Sequence, residues 1–136
     1  MNDTLINKIQ SVQRCVKRTR DIYTKNSATF LTDYDSQDAA VLNILRACEL
    51  TIDIANYLIK KDKLGIPTSS GESFDLLTRN NIIKNELAER LKKMVGFRNV
   101  SVHEYQRINY DIVVKIIHSG MNDLIEFTDV VFESSR

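Results

Sequence analysis

The sequence predicts an all-α fold, a helical bundle of four long helices plus one short helix. The chain has 136 residues, 43% of them hydrophobic and 27% charged, which is an ordinary composition for a globular protein. Four glycines and one proline leave little material for the turns of a β-sandwich or barrel. Apolar residues instead recur every three or four positions, as on the buried face of a helix. We therefore expect a single helical domain over residues 1–136.

The first helix is predicted from about Asn2 to Tyr23. Its apolar stripe recurs at helical spacing and consists of Leu5, Ile9, Val12, Val16, Thr19 and Tyr23. Residues 24–35 lose this period and collect turn-forming residues, so a loop is expected there.

The second helix should begin near Ser36 or Asp38, because either side chain can cap a helix N-terminus. It continues to about Lys63, and Gly65 and Pro67 then prevent its extension. Apolar residues cover a wide arc of this segment, which favours a central position in the bundle.

A short third helix is predicted from Ser70 to about Leu77, with Glu72 in its first turn, before the pair Asn80–Asn81. A fourth helix should then run from about Lys84 to Phe97, where Gly96 weakens the helical pattern.

The last helix should start at Asn109 as N-cap, with Asp111 in the positive first turn. Its apolar residues cover more than one narrow stripe. This helix therefore either lies centrally or packs its second face against another subunit.

The charge balance excludes a protein whose overall field attracts polyanions. Nineteen basic and 18 acidic residues give a net charge of +1, so contact with nucleic acid must come from a local patch.

Cys15 and Cys48 lie among apolar residues and are expected to be reduced thiols, and two Cys and two His offer no metal-ligand framework. No segment approaches the ~18 apolar residues of a membrane span, and the N-terminus lacks the apolar run of a signal peptide. A cytoplasmic location without membrane contact is expected.

Residues 94–105, between the last two helices, combine side chains that can act on phosphate esters. They include Arg98, His103 and Tyr105. On a regular helix Arg98 and His103 would point about 140° apart. They could therefore converge only if the backbone departs from a helix, if the long arginine reaches across, or if a second subunit completes the site.

These residue types suit attack at phosphorus in RNA. Histidine titrates near neutral pH and could remove the proton of a ribose 2′-OH, while arginine could stabilise the negative charge of the transition state. No metal ion is demanded, the product would be a 2′,3′-cyclic phosphate, and DNA would be spared because it lacks the 2′-OH. One histidine cannot be base and acid at once, so a second protomer's His103 or a water molecule would protonate the leaving 5′-oxygen.

Structural roles remain open for each of these residues considered alone. His103 could be an ordinary histidine at a helix end, and Tyr105 a half-buried core tyrosine. Lys92 and Lys93, with Arg90, could follow an RNA backbone or form a solvated face. Glu49 and Asp53 lie four residues apart on the second helix and could line the cleft or pair at the surface.

The chain resembles HepT-type toxins, which are all-α HEPN-domain ribonucleases of prokaryotic toxin–antitoxin pairs. The resemblance lies first in the signature R-x4-H-x-Y, matched by Arg98-Asn99-Val100-Ser101-Val102-His103-Glu104-Tyr105. Residues 52–57, 64–67, 72–74 and 91–96 and the order of the helices are also similar, so that the resemblance covers nearly residues 1–133. Ser101 departs mildly, because that position is more often apolar in such proteins, and it could loosen the packing beside His103.

This resemblance implies that Arg98 and His103 are the catalytic pair of a metal-independent endoribonuclease without a cofactor. It also implies a homodimer in which the motifs of two subunits face one cleft. The implied partner is a minimal nucleotidyltransferase antitoxin that neutralises the toxin by transferring AMP to Tyr105. Asn99, Lys92 and Lys93 are the candidate supporting or RNA-binding residues. The alternative is a non-catalytic HEPN-type module that binds nucleotide, RNA or a partner and cleaves nothing.

Overall fold

The computed structural model describes residues 2–135, and all regular secondary structure in that range is helical. Met1 and Arg136, the ends of the predicted domain, lie outside the described residues. The helices are α1 Asp3–Lys25, α2 Tyr34–Asp62, α3 Ser70–Arg79, α4 Asn85–His103, α5 Tyr110–Lys115 and α6 Met121–Ser134. A π-helical segment, Ile116–Gly120, joins α5 to α6 into one rod, and short 3₁₀ turns cover Ser27–Thr29 and Tyr105–Arg107. The predicted bundle of four long helices and one short helix is confirmed.

The α1 and α2 helices form the most extensive helix pair of the bundle. The predicted stripe of α1 is buried from Leu5 to Thr19, with Asn2 capping the helix through the N–H of Leu5. Along α2 the buried positions occur on most of the circumference, because α1, α3, α4 and α6 all contact it. The expected central position of this helix is therefore correct.

The N-terminus of α2 lies earlier in the chain than the sequence indicated. Asp33 is the N-cap, and its carboxylate accepts from the backbone N–H of Ser36 at 3.1 Å and from the Ser36 hydroxyl at 2.7 Å. The predicted caps, Ser36 and Asp38, are wrong because both residues lie inside the helix. Phe30 is fully buried and anchors the preceding loop, which places Asp33 where it can cap.

The rod formed by α5, the π segment and α6 packs against α1, α2 and α4, while Ile112 and Phe132 on the same rod remain about half exposed. Asn109 is its N-cap, as predicted, and accepts from the N–H groups of Asp111 and Ile112. Its fully buried side chains include Val113, Met121, Leu124, Phe127 and Val131. The π segment was not predicted.

A close approach between α4 and the rod explains Gly120 in the π segment. A Cβ atom at this position would lie 2.8 Å from the Met94 sulfur and 3.2 Å from the Ile116 side chain, so a larger residue would force the Met94 side chain to shift. The glycine thus leaves room for the Met94 side chain of α4, the helix of the motif.

Cys15 and Cys48 are both free thiols buried in the core, as predicted. Within residues 2–135 every helix is too short or too polar to cross a lipid bilayer.

Candidate active site

The α4 helix continues six residues beyond its predicted end and contains most of the motif. It runs from Asn85 to His103, so the predicted end at Phe97 is wrong, and Arg98 and His103 lie on the helix rather than between two helices. A glycine inside a helix costs about 1 kcal/mol relative to alanine. Buried side chains on both sides of Gly96, at Val95 and Ser101, offset this cost and keep the segment helical.

The continuous helix removes one of the three ways in which Arg98 and His103 could meet. Because both residues belong to α4, their side chains leave the helix in directions about 140° apart. The Arg98 side chain lies against α2 and is 28% exposed, whereas His103 is exposed at the last residue of the helix. Only the reach of arginine or a second subunit remains to bring the two groups together.

Arg98 is held by two neighbours. Its guanidinium forms an ion pair with Glu49 of α2 at 2.7 Å and donates to the Asn99 side chain at 3.0 Å. Its Nε atom is buried and has no hydrogen-bond partner among the described residues. Because a guanidinium carries five N–H donors, these contacts leave donors for a phosphate oxygen. Glu49 therefore lines this region, as the sequence allowed.

His103 opens onto a shallow depression of about 440 Å³, which is lined by residues 102–107. Val100 and Val102, on the same last turns of α4, expose about half of their surface, at 53% and 51%. The end of α4 thus combines a solvent-accessible imidazole with exposed apolar side chains.

Tyr105 follows α4 in the 3₁₀ turn and is held by α2. Its hydroxyl donates to the carboxylate of Asp38 at 2.6 Å. This hydrogen bond, with smaller contributions from burial and from the negative charge of Asp38, raises the pKa of Tyr105 to about 12. The ring remains 51% exposed, so it is a surface tyrosine rather than a core one.

Sequence reasoning missed Asp38 as a partner of the motif. The two residues are 67 positions apart, and the sequence indicates Asp38 only as a possible helix cap. Nothing in the local sequence around either residue indicates that they meet.

The basic residues before the motif differ in how far they are engaged. Lys92 pairs with Asp75 of α3 at 3.0 Å and with Glu89 at 3.2 Å, and these two hydrogen bonds raise its pKa. Arg90 pairs with Asp123 and Glu126 of α6. Lys93 is exposed and makes no ion pair with any described residue. Lys93 is therefore the cation best placed to meet an external anion.

Groups of His, Cys, Asp and Glu that could hold a metal ion are absent from residues 2–135. A depression of about 760 Å³ lies around the start of α4 and contains none of the motif residues.

A family model, a relative in sequence and solved structures all indicate the same family. A family model described as ribonuclease HepT-like matches residues 12–131. The mRNA nuclease HepT of Shewanella oneidensis is 47% identical over 131 residues, covering 96% of this chain and 98% of that protein. A solved structure of the tri-AMPylated Shewanella oneidensis HEPN toxin in complex with MNT antitoxin has a TM-score of 0.92 and 47% identity, covering 98% and 99% of the two chains. A crystal structure of a toxin–antitoxin MntA-HpeT mutant, with a tyrosine replaced by alanine, has a TM-score of 0.91 and 44% identity, covering 96% and 99%.

Proposed function

The chain belongs to the ribonuclease HepT-like family, and from this premise we propose that it is the toxin of a cytoplasmic toxin–antitoxin pair. In this proposal it is a metal-independent endoribonuclease, and a nucleotidyltransferase antitoxin neutralises it by transferring AMP to Tyr105. The observation that carries the proposal is that the last turns of α4 hold Arg98, which is partly exposed, and His103, which is exposed, so that RNA can reach both.

The proposed chemistry uses the 2′-OH of RNA as the nucleophile. His103 accepts the proton of that hydroxyl, whose oxygen attacks the adjacent phosphorus. Arg98 donates to the non-bridging oxygens, on which negative charge grows in the transition state. The 5′-oxygen leaves with a proton, and the products are a 2′,3′-cyclic phosphate and a 5′-hydroxyl end. Asn99 supports Arg98 through the hydrogen bond between their side chains.

A homodimer is part of the proposal because one protomer presents its two catalytic groups in different directions. A second copy of the chain would place its own His103 near the first, so that one imidazole acts as base and the other as acid. Val100 and Val102 expose about half of their surface beside His103, which supports an apolar contact between the copies.

The position of Tyr105 supports modification as the means of neutralisation. The tyrosine is half exposed, two residues beyond His103, and lines the same depression. An AMP group on its hydroxyl would fill this depression and place a negative charge where RNA phosphates must lie. The Shewanella oneidensis HEPN toxin, similar over nearly the whole chain, is tri-AMPylated in its complex with MNT antitoxin.

Cleavage of total RNA by the purified protein in EDTA tests the nuclease proposal. We expect cyclic phosphate ends in the presence of the chelator, no cleavage of DNA, and a loss of about 10²-fold or more in His103→Ala. His118→Ala is the matched control, because His118 is also exposed but lies outside the motif. RNA that is bound but remains intact under every condition would support the non-catalytic module instead.

Mass spectrometry after co-expression with the cognate nucleotidyltransferase tests the antitoxin proposal. The wild-type chain should gain mass in AMP units, and Tyr105→Phe should gain none. Tyr34→Phe is the control, because Tyr34 is the more exposed tyrosine at 75% and should leave the mass gain unchanged. An unmodified wild-type chain, or full modification of Tyr105→Phe, would refute this assignment.

A further inference from the structure

We propose that Asp38 is a catalytic base for the modification of this protein, supplied by the toxin itself: its carboxylate accepts the phenolic proton of Tyr105 while that oxygen attacks the α-phosphorus of ATP. The inference rests on the proposed function above, in which Tyr105 receives AMP. It adds a residue of α2 to a reaction for which the sequence indicated only the acceptor.

The geometry that carries the proposal is a direct hydrogen bond between the reacting atom and a carboxylate. The distance of 2.6 Å between the Tyr105 hydroxyl and Asp38 is that of a hydrogen bond to an ionised acceptor. Asp38 and Tyr105 are both exposed, so a nucleotide carried by a partner protein can approach them. In the 3₁₀ turn Tyr105–Arg107 no residue is buried. The hydrogen bond to Asp38 is therefore the contact that orients the tyrosine.

A base is needed because the protonated hydroxyl of Tyr105 is a poor nucleophile. With a pKa of about 12, roughly one Tyr105 in 10⁵ is ionised at neutral pH. A carboxylate that already accepts the hydrogen bond can take the proton as the new bond forms, as a catalytic aspartate does for the substrate hydroxyl of a protein kinase.

The step balances without any further reactant. The bond between the Tyr105 oxygen and the α-phosphorus forms, and the bond from that phosphorus to the oxygen bridging the β-phosphorus breaks. Pyrophosphate leaves with the electron pair, and the phenolic proton passes to Asp38 and then to water. The modified tyrosine has no proton to donate and carries a new negative charge, so it must move away from Asp38.

The surroundings of the pair define which groups can affect its pH dependence. Besides Asp38 of α2, the group that acts on Tyr105 electrostatically is Tyr110 of α5. Burial and the negative charge of Asp38 raise the pKa of Tyr110 as well. Both shifts favour the neutral phenol, so neither tyrosine adds a negative charge beside the pair.

The test compares Asp38→Asn with Asp35→Asn in the full-length toxin, using its cognate MNT antitoxin and radiolabelled ATP. Asp35 is an acidic residue in the first turn of the same helix, so its replacement removes the same charge without touching Tyr105. At neutral pH we expect transfer to Asp38→Asn to be about 10²-fold slower, with unchanged KM for ATP. Between pH 7 and 9 its rate relative to Asp35→Asn should rise about tenfold per pH unit, as the phenolate fraction grows.

A second measurement checks the hydrogen bond in solution. The ultraviolet titration difference between the parent and its Tyr105→Phe variant isolates this tyrosine. In the Asp38→Asn background the pKa of Tyr105 should fall from about 12 toward the ordinary value of about 10. An unchanged pKa would show that the contact is absent and would overturn the proposal.

Every kinetic outcome decides the question. Equal or faster transfer to Asp38→Asn overturns the proposal, and faster transfer would mean that Asp38 restrains the tyrosine. Slow transfer with no rise relative to the control as the pH increases also overturns it, because the carboxylate would then position the ring without taking a proton. Failure of the wild-type toxin to be modified is a separate result, which removes the antitoxin part of the proposed function and this step with it.

Discussion

The two parts of α4 differ in what surrounds them, although they form one continuous helix. Residues 85–95 bury five side chains in the core, Leu87, Ala88, Leu91, Met94 and Val95, and the cations Arg90 and Lys92 are paired with carboxylates. Residues 96–103 bury only Ser101, and they carry Arg98 and His103. The first part therefore fixes the helix in the bundle, and the second presents chemical groups to solvent. Substitutions in the two parts should consequently affect different properties.

Leu91→Ala gives the largest expected effect on stability. The side chain is 1% exposed, and removing a buried leucine typically lowers the free energy of unfolding by 2–5 kcal/mol, or about 3 kcal/mol. Urea denaturation measures this loss. The control is Lys93→Ala, two residues along the same helix, which should stay within about 0.5 kcal/mol because Lys93 is exposed. A loss below about 1 kcal/mol for Leu91→Ala would contradict the division of the helix.

Arg98→Ala should lower the rate of RNA cleavage far more than the stability. We expect the rate of RNA cleavage to fall about 10²- to 10³-fold, as for the loss of one group that stabilises transition-state charge. The free energy of unfolding should fall by no more than about 1 kcal/mol, because the ion pair with Glu49 is partly exposed. Cleavage rates and urea denaturation of the same preparation separate the two effects. A large loss of stability with normal activity per folded molecule would make Arg98 a structural residue.

The helices were predictable where local signals and packing agree. The stripe of α1 and the Asn109 cap follow from residues close together in sequence, and both are confirmed. The predicted end of α4 at Phe97 is wrong. Gly96 lowers the helix propensity there, but buried neighbours on both sides of it maintain the helix. No local sequence pattern predicts the π segment Ile116–Gly120.

The motif could be found from sequence, but its contacts could not. Arg98, His103 and Tyr105 are recognisable from the resemblance to HepT-type toxins. The partners Glu49 and Asp38 are positioned by the packing of α2 against the end of α4, over large separations in sequence. Local sequence patterns relate residues that are close together in the chain. They therefore indicate Asp38 only as a possible N-cap of α2.

Ser101→Ala sharpens the comparison inside the exposed part of α4. Ser101 is 1% exposed, and its hydroxyl oxygen is buried with no hydrogen-bond partner among the described residues. Because an unpaired buried hydroxyl is unfavourable, alanine should raise the free energy of unfolding by about 1 kcal/mol. Urea denaturation measures the change, and Ser119→Ala, at an exposed serine, provides the baseline. A loss of stability would show that the hydroxyl has a partner in solution.

The smallest expected effect distinguishes the paired and unpaired lysines of α4. In a His103→Ala background that binds RNA without cutting it, Lys93→Gln should reduce the salt dependence of affinity by about 0.7 in the slope of log K against log salt, the value for one contact to a single-stranded phosphate. Lys92→Gln should reduce it less, because Asp75 and Glu89 already neutralise that ammonium group. Fluorescence anisotropy with a labelled RNA at several salt concentrations gives both slopes. Equal reductions would mean that RNA draws Lys92 away from its carboxylates, and the paired cations of residues 85–95 would then belong to the binding surface.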